Sequence, residues 1–147
     1  MNPVVIDTNC LLQIIARRSP YRPIWDAFLD GRFDLCVSEE IINEYQEVLG
    51  RIITPSIAEN IVLLILNKRN VKLIDPHFRL GIITADPDDN KFIDCAFAAG
   101  ADYLVTEDGH FNILRTTQFP KLNLVTLDEF LKTRLILNRM TTNFSTN

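Results

Sequence analysis

Short runs of β-branched and aliphatic residues alternate with helical patterns along almost the whole chain, and this alternation constrains the fold most. Val4-Val5-Ile6 reads as a buried strand, and Phe33 to Val37, Val71 to Ile74, Tyr103 to Thr106 and Leu124-Val125 repeat the pattern. Between them fall helical stretches. The first runs from about Cys10 to Ala16, and a second, after the Ser19 to Pro23 punctuation, carries Ile24, Trp25, Phe28 and Leu29. A third is capped by Ser38 and reaches about Ile53, and a fourth runs from Pro55 through Leu66. Asp86-Pro87 opens a fifth that Gly100 ends, and Thr126 begins the last. Strand–helix alternation predicts a parallel sheet covered by helices on both faces. Such sheets place their sites just outside the carboxyl ends of the strands.

At 147 residues the chain has the size of one domain. Residues 1–140 form that domain in this reading, and the polar segment from Thr141 to Asn147 is a frayed tail. No apolar run approaches the roughly 20 residues that span a bilayer, and the start carries no secretion signal. Cys10, Cys36 and Cys95 are odd in number and lack C-x-x-C spacing, so buried reduced thiols in a cytoplasmic protein are expected. The net charge of −4 opposes a simple nucleic-acid-binding module, but not an enzyme whose bound cations invert the sign of its pocket.

Carboxylates at strand ends are the candidates for chemistry. Asp7 directly follows the first strand, where it also suits a helix cap together with Thr8 or Asn9. In the helix after Ser38, the residues Ile41, Ile42, Tyr45, Val48, Leu49 and Ile52 form one apolar face. Glu44 borders that face, while Glu39 and Glu40 are explained by the helix dipole. Asp89 falls in line with Phe92, Ile93 and Ala96 on the packed face of its helix, and Asp94 falls toward the polar side. Asp108 lies just past the strand from Tyr103, and Glu107 points the other way. Converging like charges call for a divalent cation. Oxygen ligands, with no Cys or His well spaced for zinc, select Mg²⁺ or Mn²⁺, and a carboxylate-held ion pair suits phosphodiester hydrolysis.

The segments Val4 to Asn9, Val37 to Tyr45, Asp86 to Ala96 and Gly100 to Asp108, in that order, resemble a PIN domain from about Asn2 to Leu131. The likeness is greatest to small prokaryotic single-domain PIN proteins classed as toxins of toxin–antitoxin pairs. It implies a Rossmann-like α/β/α fold, Mg²⁺- or Mn²⁺-dependent cleavage of RNA, a possible cognate antitoxin and a homodimer. It assigns metal-holding catalytic roles to Asp7, Glu44, Asp89 and Asp108, with Asp94 as a variant third acid. Thr8 and Asn9 match the polar pair after the first acid, and Ser38 and Thr106 match hydroxyl residues bordering the site. Many such toxins carry a further Asp near the position of His110, which this chain lacks.

Two other classes compete. A phosphatase with an Asp nucleophile would need a second Asp two residues on, where Asn9 stands, and a receiver domain would need a Lys after a late strand. A non-catalytic interaction module would use the same acids as caps and solubilising charge. The basic residues Arg17, Arg18, Arg22, Lys91 and Arg115 read as solvated surface. The helix containing Ile61 to Leu66 is apolar all round, which predicts a dimer through it and the helix from Ile24 to Leu29.

Overall fold

The computed structural model describes residues 2–83, 86–118 and 121–137. Its frame is a parallel sheet of β1 (Pro3–Ile6), β2 (Asp34–Val37), β3 (Val71–Leu73), β4 (Tyr103–Val105) and β5 (Leu124–Val125). The five strands lie in the order β3-β2-β1-β4-β5. The chain therefore builds outward from β1 on one side, then crosses back and continues on the other. Ile6 sits beside Val105 in register, so the ends of β1 and β4 coincide where the strand order reverses.

Helices α1 (Thr8–Ile15) and α2 (Arg22–Leu29) link β1 to β2, and α3 (Glu39–Ile52) and α4 (Pro55–Asn67) link β2 to β3. A 3-10 turn at Pro87–Asp89 leads into α5 (Asn90–Ala99) before β4, and a 3-10 helix at Gly109–Arg115 and the short α6 (Leu127–Leu131) flank β5. This is the expected three-layer α/β architecture. Its core joins the apolar sheet residues to Phe28, Phe33, Tyr45, Phe92, Phe111 and Phe130, all fully buried. Phe33 and Phe130 meet edge to face at 5.5 Å between ring centres. Buried Asn70 ties two loops together by donating to the carbonyls of Phe28 and Phe33.

Local chemistry sets the boundaries. Ser38, Thr54 and Thr126 cap their helices with side-chain oxygens, and Thr126 forms a capping box with Glu129. Gly100 closes α5 at φ 61°, a left-handed conformation that a side chain would resist. The expected helix from Asp86 starts later. Asp86 caps the 3-10 turn, and Asn90 is the first residue of α5. The 3-10 helix after β4, which buries Phe111 and Leu114 one turn apart, is an addition to the expected elements.

Two expectations about apolar faces need correction. Ile52 is exposed rather than part of the packed face of α3. Ile24, Trp25 and Phe28 of α2 are buried within the chain, so that helix has no spare apolar face. On α4 only Ala58, Val62 and Ile65 are buried, leaving Ile57, Leu63, Leu64 and Leu66 exposed. Among the described residues no helix is long and apolar enough to cross a membrane. The three cysteines are buried and free, and burial pushes the thiols of Cys36 and Cys95 up to about 11 and about 12. The segment 141–147 lies outside the described residues.

Candidate active site

A cleft of about 260 Å³ opens at the reversal of strand order, and Asp7, Glu44, Asp89 and Asp108 all line it, with Thr8, Asn9, Asp86 and Asp88. Four separate elements deliver those four carboxylates. Asp7 directly follows β1, α3 presents Glu44, the 3-10 turn before α5 ends in Asp89, and the loop after β4 carries Asp108.

Asp7 has two duties. Its Oδ1 accepts from the Cys10 amide at 2.8 Å, capping α1, while Oδ2 accepts the hydroxyl of Thr106 from the end of β4. Burial raises its pKa, the donors Thr106 and Cys10 oppose the rise, and the charge of Asp108 adds to it. One residue above Glu44, the hydroxyl of fully buried Tyr45 donates to the Ile6 carbonyl, fastening α3 to the end of β1.

Glu44 accepts from the Thr8 hydroxyl and pairs with Lys91 Nζ at 2.7 Å. Lys91 also reaches Asp88 at 3.0 Å and is only 8% exposed, so it is not the solvated surface residue expected; it lines the grooves beside the cleft and ties two of the cleft's acids together. Burial opposes its charge, but hydrogen bonds to Glu44 and Asp88 outweigh this and raise its pKa.

Asp89 carries the least compensated charge. It makes no capping bond to α5, and its Oδ2 is enclosed without a hydrogen-bond partner. Burial, then the charges of Asp86 and Asp108, push its pKa up to about 6 against the opposing influence of His110. His110 Nδ1 stands 3.5 Å from Asp89 Oδ2 and 3.6 Å from Asp108 Oδ1. The site's potential donors therefore include an imidazole, contrary to the oxygen-only expectation. The 3-10 helix causes this: Asp108 Oδ1 accepts the His110 amide at 2.9 Å, holding His110 close to Asp108 and Asp89.

Other residues fall outside the cleft. Asp94 does not face solvent as the helical period suggested. It is 4% exposed and accepts from the Leu80 amide at 3.0 Å, because the segment before α5 folds over that side of the helix. Asn90 secures the same segment by exchanging two hydrogen bonds with the Ile83 backbone. Glu107 turns away as expected and accepts from the Leu127 amide. Ser38 caps α3 and lines a neighbouring groove with Asp94 and Arg79.

The family model described as PIN domain matches residues 3–110. The chain belongs to the PIN domain family. That match includes all four carboxylates and ends at His110. Among solved structures, the DNA-bound VapBC from Salmonella typhimurium matches with a TM-score of 0.57 and 16% identity, covering 86% of this chain and 99% of that one. VapBC2 from Rickettsia felis, bound to a DNA fragment from its promoter, matches with a TM-score of 0.58 and 16% identity, covering 84% and 98%. At that identity the likeness is one of fold. No curated protein matches the chain.

PIN domains are nucleases that generally depend on divalent metals, and the residues here fit such an ion. The unpartnered Oδ2 of Asp89 and a desolvated Asp7 offer hard oxygen donors that a cation would satisfy.

Proposed function

We propose that this PIN domain, a single unit through about residue 140, is a Mg²⁺- or Mn²⁺-dependent endoribonuclease that hydrolyses RNA phosphodiester bonds. The observation that carries the proposal is the convergence of Asp7, Glu44, Asp89 and Asp108, from four elements, on one cleft at the reversal of strand order. Capping alone would account for Asp7, Asp86 and Asp108, each of which accepts a backbone amide. It leaves Glu44 and Asp89 unexplained, which weighs against a purely non-catalytic module.

Asp7, Glu44, Asp89 and Asp108 would hold the metal. When bound there, such an ion supplies water activation and charge stabilisation at the phosphate. The chain's own groups set the stage. Thr106 and the Cys10 amide fix the Asp7 carboxylate, and Thr8 and Lys91 fix that of Glu44. Lys91 pairs with the Glu44 carboxylate, and the Tyr45 hydroxyl bond to the Ile6 carbonyl fastens α3 to the end of β1 beside Asp7.

The toxin role, with a cognate antitoxin as partner, is supported by the shared fold of the two VapBC structures. A reducing cytoplasm suits the three free thiols. A homodimer through the outer face of α4 would cover Ile57, Leu63, Leu64 and Leu66.

Cleavage of a fluorescent RNA should require Mg²⁺ or Mn²⁺, stop with EDTA and return when the ion is restored. Full cleavage in metal-free buffer would overturn the mechanism, with contamination excluded by an inactive variant.

A further inference from the structure

Asp7 and Glu44 are each gripped by hydrogen-bond donors, but Asp89 is held differently. Its side chain caps no amide of α5 and its Oδ2 accepts from nothing, so the backbone around it sets where the carboxylate stands. Asn90, the next residue, fixes that backbone. Its Oδ1 accepts from the Ile83 amide and its Nδ2 donates to the Ile83 carbonyl, both at 2.8 Å. Two opposed bonds to one residue pin the side chain in both position and orientation. Ile83 is itself buried in the core, so the pin is anchored in packed structure.

The same segment is tied twice more. One turn along α5, buried Asp94 accepts from the Leu80 amide at 3.0 Å, and Arg79 pairs with Glu40 of α3 at 2.7 Å. Leu80 meets Asp94 and Ile83 meets Asn90, so residues 80–83 run antiparallel to α5. Gly81, at φ 62°, turns the chain between these two ties. Glu40 stands one helical turn before Glu44, and Asn90 directly precedes Lys91, the partner of Glu44. Residues 79–83 therefore join α3 to α5 beside the Glu44–Lys91 pair. The exposed Arg79–Glu40 pair is the weakest of the three ties. Packing alone does not call for a carboxylate at position 94, because burying one is costly. A directional bond to the Leu80 amide does.

We infer that residues 79–83 brace the cleft, and that Asn90 and Asp94 are positioning residues that act through this brace to hold Asp89 and the Glu44–Lys91 pair in place. The inference rests on the metal-dependent reading of the cleft. It places Asp94 outside the metal's ligands, as an acceptor whose charge is dispensable.

The test takes the full chain, stripped with EDTA and dialysed, with Mg²⁺ as the probe. Wild type, Asn90→Ala, Asp94→Ala and Asp94→Asn are compared with Thr54→Ala, which removes the cap of α4 and controls for lost stability alone. Melts in EDTA verify folding. Asn90 is half-buried, and Asn at position 94 keeps the accepting oxygen, so these two variants should fold even if Asp94→Ala does not. By calorimetry, Asn90→Ala and Asp94→Ala should lose about 10-fold in Mg²⁺ affinity, the scale for groups that support a metal site, while Asp94→Asn and Thr54→Ala stay within about threefold of wild type. In EDTA, the carboxyl carbon-13 resonances of Glu44 and Asp89 should move in the first two variants and hold in the others. Unchanged resonances and affinity in folded Asn90→Ala would overturn the inference. So would a 10-fold loss in Asp94→Asn, which would make the charge of Asp94 the operative feature. RNA cleavage is scored separately. The carboxyl resonances judge the brace without metal, so a wild type that neither binds Mg²⁺ nor cleaves RNA sinks the nuclease proposal alone. Mg²⁺-driven cleavage with unmoved resonances and affinity in Asn90→Ala sinks this inference alone.

Discussion

Lys91 lies almost buried between Glu44 and Asp88, and its charge holds part of the carboxylate cluster together before any metal arrives. Replacing it by Met keeps the stem and removes the charge. In EDTA the Lys91→Met protein should lose about 1–3 kcal/mol, between the values for exposed and buried pairs. Denaturant melts should show that loss shrinking in Mg²⁺, because a bound cation restores the missing positive charge. A loss of the same size with and without Mg²⁺ would place Lys91 outside the metal's field. Asp89 gives a pH signature. Its folded pKa of about 6 lies above the ordinary 3.8, so the metal-free fold binds its proton more tightly than the unfolded chain does. The corresponding stability is complete below about pH 4 and is lost as pH rises through about 6. In EDTA, Asp89→Asn should therefore gain on wild type as pH rises from 4 to 7, and a constant difference across that range would contradict the assignment. These side chains were unevenly legible. Asp7 and Asp108 announce themselves at strand ends, and Glu44 at the edge of a helical stripe. Asp94 was misplaced because periodicity identifies one buried face, whereas residues 91–96 of α5 are all buried. His110 was missed because a seven-residue segment with one buried pair, Phe111 and Leu114, is too short to stand out as a helical stripe, although Asp108-Gly109-His110 carries the spacing of an Asp side chain accepting an amide two residues on.

Elements were read more securely than their ends. Alternating β-branched runs and capped helical stripes located β1 to β5 and α1 to α6 among the described residues, since capping and burial act locally. The delayed start of α5 was not visible, because Asp86-Pro87 suits a 3-10 turn and an α-helix equally. Its consequence is functional: Asp89 stands at the junction of turn and helix, and its carboxylate faces the cleft instead of capping α5. The all-apolar stretch of α4 was legible as a surface needing cover, but not the direction of that surface. Leu63 is 50% exposed and Leu66 47%, so the uncovered side faces outward. Light scattering should give a dimer for wild type and a monomer for the double variant Leu63→Glu, Leu66→Glu, with the fold retained because neither residue is buried. A monomeric wild type at working concentrations would remove α4 as an interface.

Across the whole molecule, the strand order decides what the acids can do together. β1 and β4 are neighbours although β2 and β3 lie between them in sequence, and this crossover brings Thr106 to within hydrogen-bonding reach of Asp7. No local pattern encodes that long-range pairing; it follows from the right-handed connections of a parallel sheet. The cleft therefore depends on the fold, and Asp7 is where the two meet. Asp7→Asn preserves the amide-accepting oxygen that caps α1 while removing a charge that burial disfavours. In EDTA the variant should be at least as stable as wild type, and the stabilisation that Mg²⁺ gives wild type should vanish. The deciding measurement is cleavage of a fluorescent RNA in Mg²⁺ by wild type and Asp7→Asn, each verified as folded. A fall of at least about 100-fold is expected, the scale of several kcal/mol of metal-borne stabilisation, and cleavage by the variant at the wild-type rate would contradict a metal-dependent nuclease centred on Asp7.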